Sequence, residues 1–405
     1  MRRTGTARLP AESARDVRRA TFVQNATAAL AASVVAQTPL RARAEPALGF
    51  TRPLAPVDAA LDHVTRTTVG LRPYRAGGFV LRAEGHDAKT IVHDYGHGGG
   101  GMSISWGTAL LAAELALRTE KRRAAVIGCG VIGLSTARVL QDAGFDVTIY
   151  AREIPPETTS NVSGAQWTPS SVFESDHVDD AFRATFVRAA RLAYGRYQTL
   201  LGDDYGVRWI ENYDCHGGPE SGFLAARAAE LIPDLYPEVR TYRPGEHPFP
   251  TPYATRFLTM LIEPNRYLRA LQRDYTARGG RIVVRSFAST AQMVALDEPL
   301  IMNCTGLGAK VLAADEQLEP VRGQLSVLAP QPNVDYIVLH GNRYMFPRSD
   351  GIVLGGTFQH GNADIAPDET TIRRVVADHA AFFTSMRSRD GVRTSSFGGT
   401  PPNRA

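Results

Sequence analysis

The chain has three cysteines, three lysines among 45 basic residues, and no unbroken apolar run of the roughly 18 residues that a membrane-crossing helix needs. The last absence excludes a helical membrane span in the mature protein. Three cysteines (Cys129, Cys215, Cys304) cannot build a disulfide framework, and Cys129 and Cys304 fall in apolar segments, so they read as small core residues. No metal-ligating cluster stands out, and no metal is expected. The scarcity of lysine beside arginine points to a GC-rich bacterial genome, which is an association and not a mechanism. The chain also lacks a basic body. Residues 1–44 hold eight arginines against two acids, net +6, so a formal total of +4 leaves −2 for residues 45–405. A nucleic-acid footprint is not indicated. At 405 residues, 43% hydrophobic and 21% charged, the composition is that of a globular protein with two to three domains' worth of core.

The N-terminal segment stands apart. Arg15, Arg18 and Arg19 form a positive region, Ala26–Ala36 is a small-residue apolar stretch, and Ala42-Arg43-Ala44 is a cleavage site of the A-x-A kind. Arg18-Arg19 ahead of Thr21-Phe22-Val23-Gln24 resembles a twin-arginine signal with the spacing one residue off. Residues 1–44 therefore read as an export signal to the periplasm or exterior, with a cytoplasmic tail as the alternative. Residues 45–66 are a Pro/Ala-rich lead-in.

The chain is organised around Ala124–Glu153. Ala124–Ile127 predicts a buried parallel strand, Gly128-Cys129-Gly130-Val131-Ile132-Gly133 a turn, Leu134–Ala143 a helix ending at Gly144, and Phe145–Tyr150 a second strand. Glycines at 128, 130 and 133 suit a tight turn, approach of backbone amides to a pyrophosphate, and close helix–strand packing. The phosphates would meet the helix N-terminus. This GxGxxG in its strand–helix–strand context predicts a dinucleotide cofactor. Glu153 is the candidate ribose acceptor, while Arg152 beside it could touch a phosphate instead.

Ahead of this stretch, Thr68–Arg75 reads as a short strand cut off by Pro73, Gly77–Arg82 as a second and Thr90–Val92 as a third. Tyr95-Gly-His-Gly-Gly-Gly-Gly101 then leads into an amphipathic helix, Ser105–Leu117. A glycine run between strand and helix again offers free N–H groups, so Gly98, Gly100, Gly101, Met102 and Ser103 are cofactor candidates, with His97 a local hydrogen bonder. Downstream, Phe182–Leu201, Pro264–Ala277 and Thr370–Met386 read as helices. Tyr205–Tyr253 reads as a sheet-forming insertion. Arg281–Phe287, Pro299–Cys304, Arg322–Leu328, Tyr336–Leu339, Tyr344–Phe346 and Ile352–Leu354 read as strands.

Seven stretches together, VIGCGVIGLS, TTSNVSGAQWTP, MNCTG, VRGQ, YMFPRSDGIVLGGTFQHGN, GLRPYRAGGFVLR and VHDYGHGGGGMSISWGTAL, resemble the D-amino-acid oxidase family of flavoenzymes. The likeness covers most of residues 67–386. One departure is large: in the family the last two stretches close the chain, whereas here they precede the fingerprint, so the order is circularly permuted. A helix over Ser105–Leu117 would run about 20 Å from the cofactor. Five strand residues at about 3.3 Å each would bring the chain back to Gly128, so the rotated order is sterically workable. Arg387–Ala405 would have no family counterpart.

The resemblance implies an α/β fold, a Rossmann-type FAD-binding domain with an α+β substrate domain built on a mainly antiparallel sheet. The FAD domain would comprise 67–180 and 266–315, the substrate domain 181–265 and 316–386 with a closing helix, and 387–405 a flexible tail. FAD contacts carry over to Thr158, Thr159, Ser160, Gly164, Ala165, Gln166, Phe287 and Thr305. Arg72 matches the arginine that grips the substrate carboxylate, a task that suits a guanidinium fork. Tyr344 matches a tyrosine that reaches the same carboxylate, and the Gly99 carbonyl would accept from the substrate amine. His340 stands four residues before Tyr344, where mammalian members have a second tyrosine. The implied chemistry is hydride loss from the α-carbon to the flavin, hydrolysis of the imino acid to a 2-oxo acid and ammonia, and peroxide from dioxygen. Members acting on acidic D-amino acids carry arginine where this chain has Phe358, so a neutral D-amino acid is expected, unless another arginine such as Arg343 reaches in. D-aspartate oxidation, a glycine or secondary-amine dehydrogenase, and a decayed flavin-binding protein are the alternatives. Homodimerisation stays open.

Overall fold

Residues 52–387 are described by the computed structural model, apart from 165, 220 and 223–226. The expected export signal and residues 388–405 of the expected tail lie outside the described residues. From Val64 the chain forms β1 (Val64–Tyr74), β2 (Val80–His86), β3 (Lys89–Tyr95) and helix α1 (Gly101–Leu117). The fingerprint follows as β4 (Arg123–Ile127), α2 (Val131–Asp142) and β5 (Asp146–Ala151). Helix α3 (Asp180–Gln198) precedes β6 (Val207–His216), β7 (Arg240–Tyr242) and β8 (Tyr253–Ile262). Next come α4 (Pro264–Ala277), β9 (Arg281–Val284) and β10 (Leu300–Asn303). Strands β11 (Glu319–Leu328), β12 (Tyr336–His340), β13 (Arg343–Arg348), β14 (Gly351–Gly355) and β15 (Gln359–His360) lead to helix α5 (Glu369–Thr384).

These strands make two sheets, and the fold is the expected α/β one. The smaller runs β2-β3-β10-β4-β5-β9, with β3, β10, β4, β5 and β9 parallel and β2 antiparallel at the edge. The larger runs β1-β11-β14-β13-β12-β6-β8-β7, with β15 also beside β11, and is antiparallel except for the β12–β6 pair. The central strands β10 and β4 are almost wholly buried, as expected of parallel strands covered by helices; all four residues of β10 are buried. Helix α2 stops where its sequence says it must. Gly144, at φ 83°, donates to Gln141 O and Phe145 N donates to Leu140 O, the paired bonds that close a helix on a left-handed glycine.

Two expectations need correction. Helix α1 is not amphipathic and starts at Gly101, four residues early. Its residues are buried nearly all round, Ile104, Ala109, Ala112 and Ala116 completely, because it packs against both α2 and α3. Nor does Pro73 end its strand. β1 is an edge strand, and Pro73 pairs with Pro320, so neither ring deprives a partner of a donor. The described part of the lead-in is packed: Val57 and Ala59 are buried, and Tyr336 Oη donates to Ala55 O at 2.6 Å.

On the larger sheet α5 buries a histidine pair. His340 Nε2 lies 3.1 Å from His379 Nδ1, and His340 stacks on Phe382 at 4.1 Å. Burial, aided by the Arg343 guanidinium and opposed by Asp378, pushes His340 down to about 4. Burial, with His340 beside it, pushes His379 to about 3. Both are thus neutral in the fold, whereas unfolded imidazoles take up protons near 6.5. Their contribution is full above that value and is lost as pH falls toward 4 and 3, by up to about 1.4 kcal/mol per pH unit per histidine. Thermal midpoints of wild type and His379→Leu, compared between about pH 7.5 and 5, should show the steeper acid decline in wild type; parallel declines would refute this account.

Candidate functional site

The five parallel strands all end at one edge of the smaller sheet, and the predicted cofactor residues lie on the loops leaving it. Gly98–Ser103 follow β3, Gly128–Gly133 follow β4, Arg152 and Glu153 follow β5, Phe287 lies beyond β9, and Thr305 follows β10. Carboxyl ends of such strands are where open α/β sheets take their ligands.

The fingerprint turn leaves no room for side chains. A Cβ at Gly133 would sit 2.0 Å from Gly128 O, and one at Gly128, where φ is 117°, would sit 2.4 Å from Cys304 O. Glycines stand at both N-cap positions, Gly130 before α2 and Gly100 before α1, and offer no side-chain cap, and neither helix has an acid in its first turn. Two glycine-led helix starts on one edge, free of acidic side chains, suit an anion such as a pyrophosphate. Ser160 Oγ accepts from Val131 N at 3.0 Å and ties the Thr159–Val162 turn to this edge. Thr158 Oγ1 donates to Asn161 Oδ1, and Thr305 Oγ1 to Asn303 Oδ1, each at 2.7 Å. Arg152 Nε bonds Glu153 Oε1 at 3.1 Å with both exposed, so Glu153 is free to meet a ribose or Arg152 a phosphate. The Phe287 ring packs edge-on against Tyr150, leaving its backbone as the contact it can offer. His97 sits 3.2 Å from Thr108 Oγ1 and 3.1 Å from Asp94 Oδ1, a local bonder as expected. Burial alone pushes the Cys129 thiol up to about 12, and Cys304 is also raised well above the ordinary range, as expected of core cysteines.

A second group lies on one face of the larger sheet. Arg72 on β1 passes over Gly323 of β11, where a Cβ would come within 2.5 Å of Nη1. Its Nη1 donates to Thr357 O at 3.2 Å, and the Phe358 ring centroid is 4.4 Å from its Cζ. Gly99 is close by, since a Cβ there would be 3.8 Å from Arg72 Cδ. Tyr344 on β13 lies over Gly355 of β14 and stacks on Phe346 at 4.9 Å. Gly70, Gly323 and Gly355 thus make a floor whose lack of side chains admits Arg72 and Tyr344. The segment 159–164 joins the two groups: Ser160 touches the fingerprint helix, Val162 lies over Gly70, and a Cβ at Gly164 would meet Phe346 at 2.4 Å. Gln166 continues that link, its Nε2 donating to Asn212 and its carbonyl accepting from Ser103 Oγ of α1. Ala165 lies outside the described residues.

Counting back four residues from Tyr344 ignores the hairpin. Leu339 pairs with Tyr344 and shares its apolar cluster, whereas His340 pairs with Arg343 and turns to α5 on the opposite face. Arg343 is tied to Asp378 and to Gly356 O, away from Arg72. The glycine floor and the Thr357–Phe358 contact to Arg72 were not anticipated, although GLRPYR, VRGQ and GGTF contain them.

The comparisons agree with this fold. The family model described as FAD dependent oxidoreductase (DAO) matches residues 123–404. The matched span runs past Met386, so residues 387–404, expected to lack a counterpart, fall inside it. A D-amino-acid oxidase of Rubrobacter xylanophilus is 32% identical over 276 residues, covering 65% of this chain and 78% of that protein. The D-aspartate oxidase of Homo sapiens is 28% identical over 286 residues, covering 68% and 80%. The solved L-proline dehydrogenase from P. horikoshii, at 16% identity, shares the fold with a TM-score of 0.50 over 66% of this chain and 78% of that one. No helix among the described residues is long and apolar enough to cross a membrane. The chain belongs to the DAO family of FAD-dependent oxidoreductases, with D-amino-acid oxidases among its relatives and FAD as its cofactor.

Proposed function

We propose that the protein oxidatively deaminates neutral D-amino acids, converting substrate, water and dioxygen to a 2-oxo acid, ammonia and hydrogen peroxide. The observation that carries this reading is the position of Arg72: its side-chain stem passes Gly99, and its guanidinium lies over Gly323 on the same sheet face as Tyr344. Arg72 would grip the carboxylate through the N–H groups not held by Thr357, with the Tyr344 hydroxyl donating to the same carboxylate. The Gly99 carbonyl would accept from the amine, which fixes the face of the α-carbon presented for oxidation. Bound FAD supplies the two-electron acceptor. A neutral side chain is favoured because Phe358 caps Arg72 and Arg343, the alternative partner for a second carboxylate, is engaged on the opposite face.

The same reading takes residues 64–103, ahead of the span matched by the family model, as the family's closing strand and glycine run in rotated order, and residues 1–44 as an export signal. The test is the visible spectrum of the purified holoprotein under anaerobic conditions, before and after D-alanine or L-alanine. Bleaching by the D-isomer alone, with recovery and peroxide on admitting air, is expected. Bleaching by neither isomer would overturn the substrate assignment, and slow recovery without peroxide would favour a dehydrogenase.

A further inference from the structure

Arg322 sits on β11 across from Leu71, so it is one pair removed from Arg72, which faces Val321. The two guanidinium groups leave opposite faces of the sheet. Arg322 is 2% exposed, yet its acceptors are all neutral: Nε donates to Asp364 O at 2.8 Å, Nη1 to Gln359 Oε1 at 3.0 Å, and Nη2 to Gln324 Oε1 at 2.9 Å and Ala366 O at 2.5 Å. Burying a cation on neutral acceptors is costly, and the fold could have filled the space with apolar atoms. What the arrangement provides is a grip on one segment. Gln324 extends that grip, its amide bonding Asp368 in both directions and its backbone N–H donating to Thr357 Oγ1 at 2.6 Å. Residues 357–368 are thus fastened at both ends and the middle from behind the sheet. Their first two residues are the ones that touch Arg72, Thr357 through its carbonyl and Phe358 through its ring.

We propose that Arg322 is a positioning residue for the substrate anchor. By holding the 357–368 strap from the back of the sheet, it makes the Thr357 carbonyl and the Phe358 ring fix the orientation of the Arg72 guanidinium and keep its remaining N–H groups open to a carboxylate. Rigid support of this kind lowers the ordering cost of binding, so its loss is read in carboxylate affinity rather than in turnover. The inference rests on Arg72 being the anchor, and the experiment separates the two.

Holoenzymes of wild type, Arg322→Lys, Gln359→Ala and Arg72→Leu are compared for steady-state oxidation of D-alanine, for flavin affinity, and for binding of propionate, a carboxylate without an amine, by its perturbation of the flavin spectrum. A lysine has three donors on a flexible stem and cannot serve the acceptors that the planar fork spans. Arg322→Lys should raise KM and weaken propionate binding by the same factor, about tenfold, with kcat and flavin affinity changed by less than about threefold. Gln359→Ala, which removes one acceptor, should shift both in the same direction by less. A folded Arg322→Lys with unchanged KM and propionate binding, while Arg72→Leu abolishes both, overturns the proposal alone. If Arg322→Lys does not fold, an unchanged KM in Gln359→Ala overturns it. Unaltered turnover in Arg72→Leu overturns the anchor and the proposal together.

Discussion

Replacing Arg72 with leucine should leave the flavin bound and spectrally normal but lower kcat/KM for D-alanine by about a hundred- to a thousandfold. A carboxylate desolvated against the sheet without its cation suffers the penalty of an unpaired buried charge, about 3–5 kcal/mol, and each 1.4 kcal/mol is a factor of ten. Most of the loss should fall on KM, because the guanidinium binds ground state and transition state alike. The residue is well placed for this effect, resting over Gly323 and donating to Thr357 O, where leucine finds space but has no donor to offer that carbonyl. Arg72→Lys should recover part of the affinity through charge without the two parallel bonds. Turnover indistinguishable from wild type in Arg72→Leu would remove Arg72 from the site.

Gly133→Val should yield protein without flavin. The first side-chain carbon would lie 2.0 Å from Gly128 O, a backbone atom fixed between β4 and the β10 loop, so relief requires the turn itself to open. Opening it misdirects the amides at the start of α2, and flavin affinity should fall at least about a hundredfold, the equivalent of two or more charge-assisted bonds. Gly195→Ala in α3 is the control, because a Cβ there meets nothing within 4 Å. It should retain flavin and gain up to about 1 kcal/mol of stability from helix propensity. Equal flavin content in the two purified variants would show that the turn is not the phosphate cradle.

The sequence revealed β4, α2 and β5 because each is set by local rules: an apolar run, a helical period, and glycines where the backbone must bend or be approached. Helix α4 was legible to the residue, with proline at its start and two glycines past its end. Errors arose where distant partners decide. Ser105–Leu117 looked one-sided in sequence, and only the packing of α2 and α3 on it buries its second face. Pro73 looked like a terminator until its edge position and the facing Pro320 were known. His340 was misassigned because a hairpin's register, not a residue count, decides which side chain accompanies Tyr344. At the site, Arg72, Tyr344 and Gly99 could be named through resemblance, but the glycine floor beneath them spans β1, β11 and β14, and no single stretch of sequence contains it.

The three thiols acquire a meaning beside a flavin. Cys129 lies within the fingerprint turn, Cys304 packs against it, and Cys215 is buried in the larger sheet. Burial holds all three protons on, the Cys129 thiol at about 12. Peroxide attacks the thiolate and not the thiol, so oxidation to sulfenic acid is slow where ionisation is suppressed. If the proposed oxidase activity holds, these cysteines are protected from the peroxide it releases by the same desolvation that makes them good core residues.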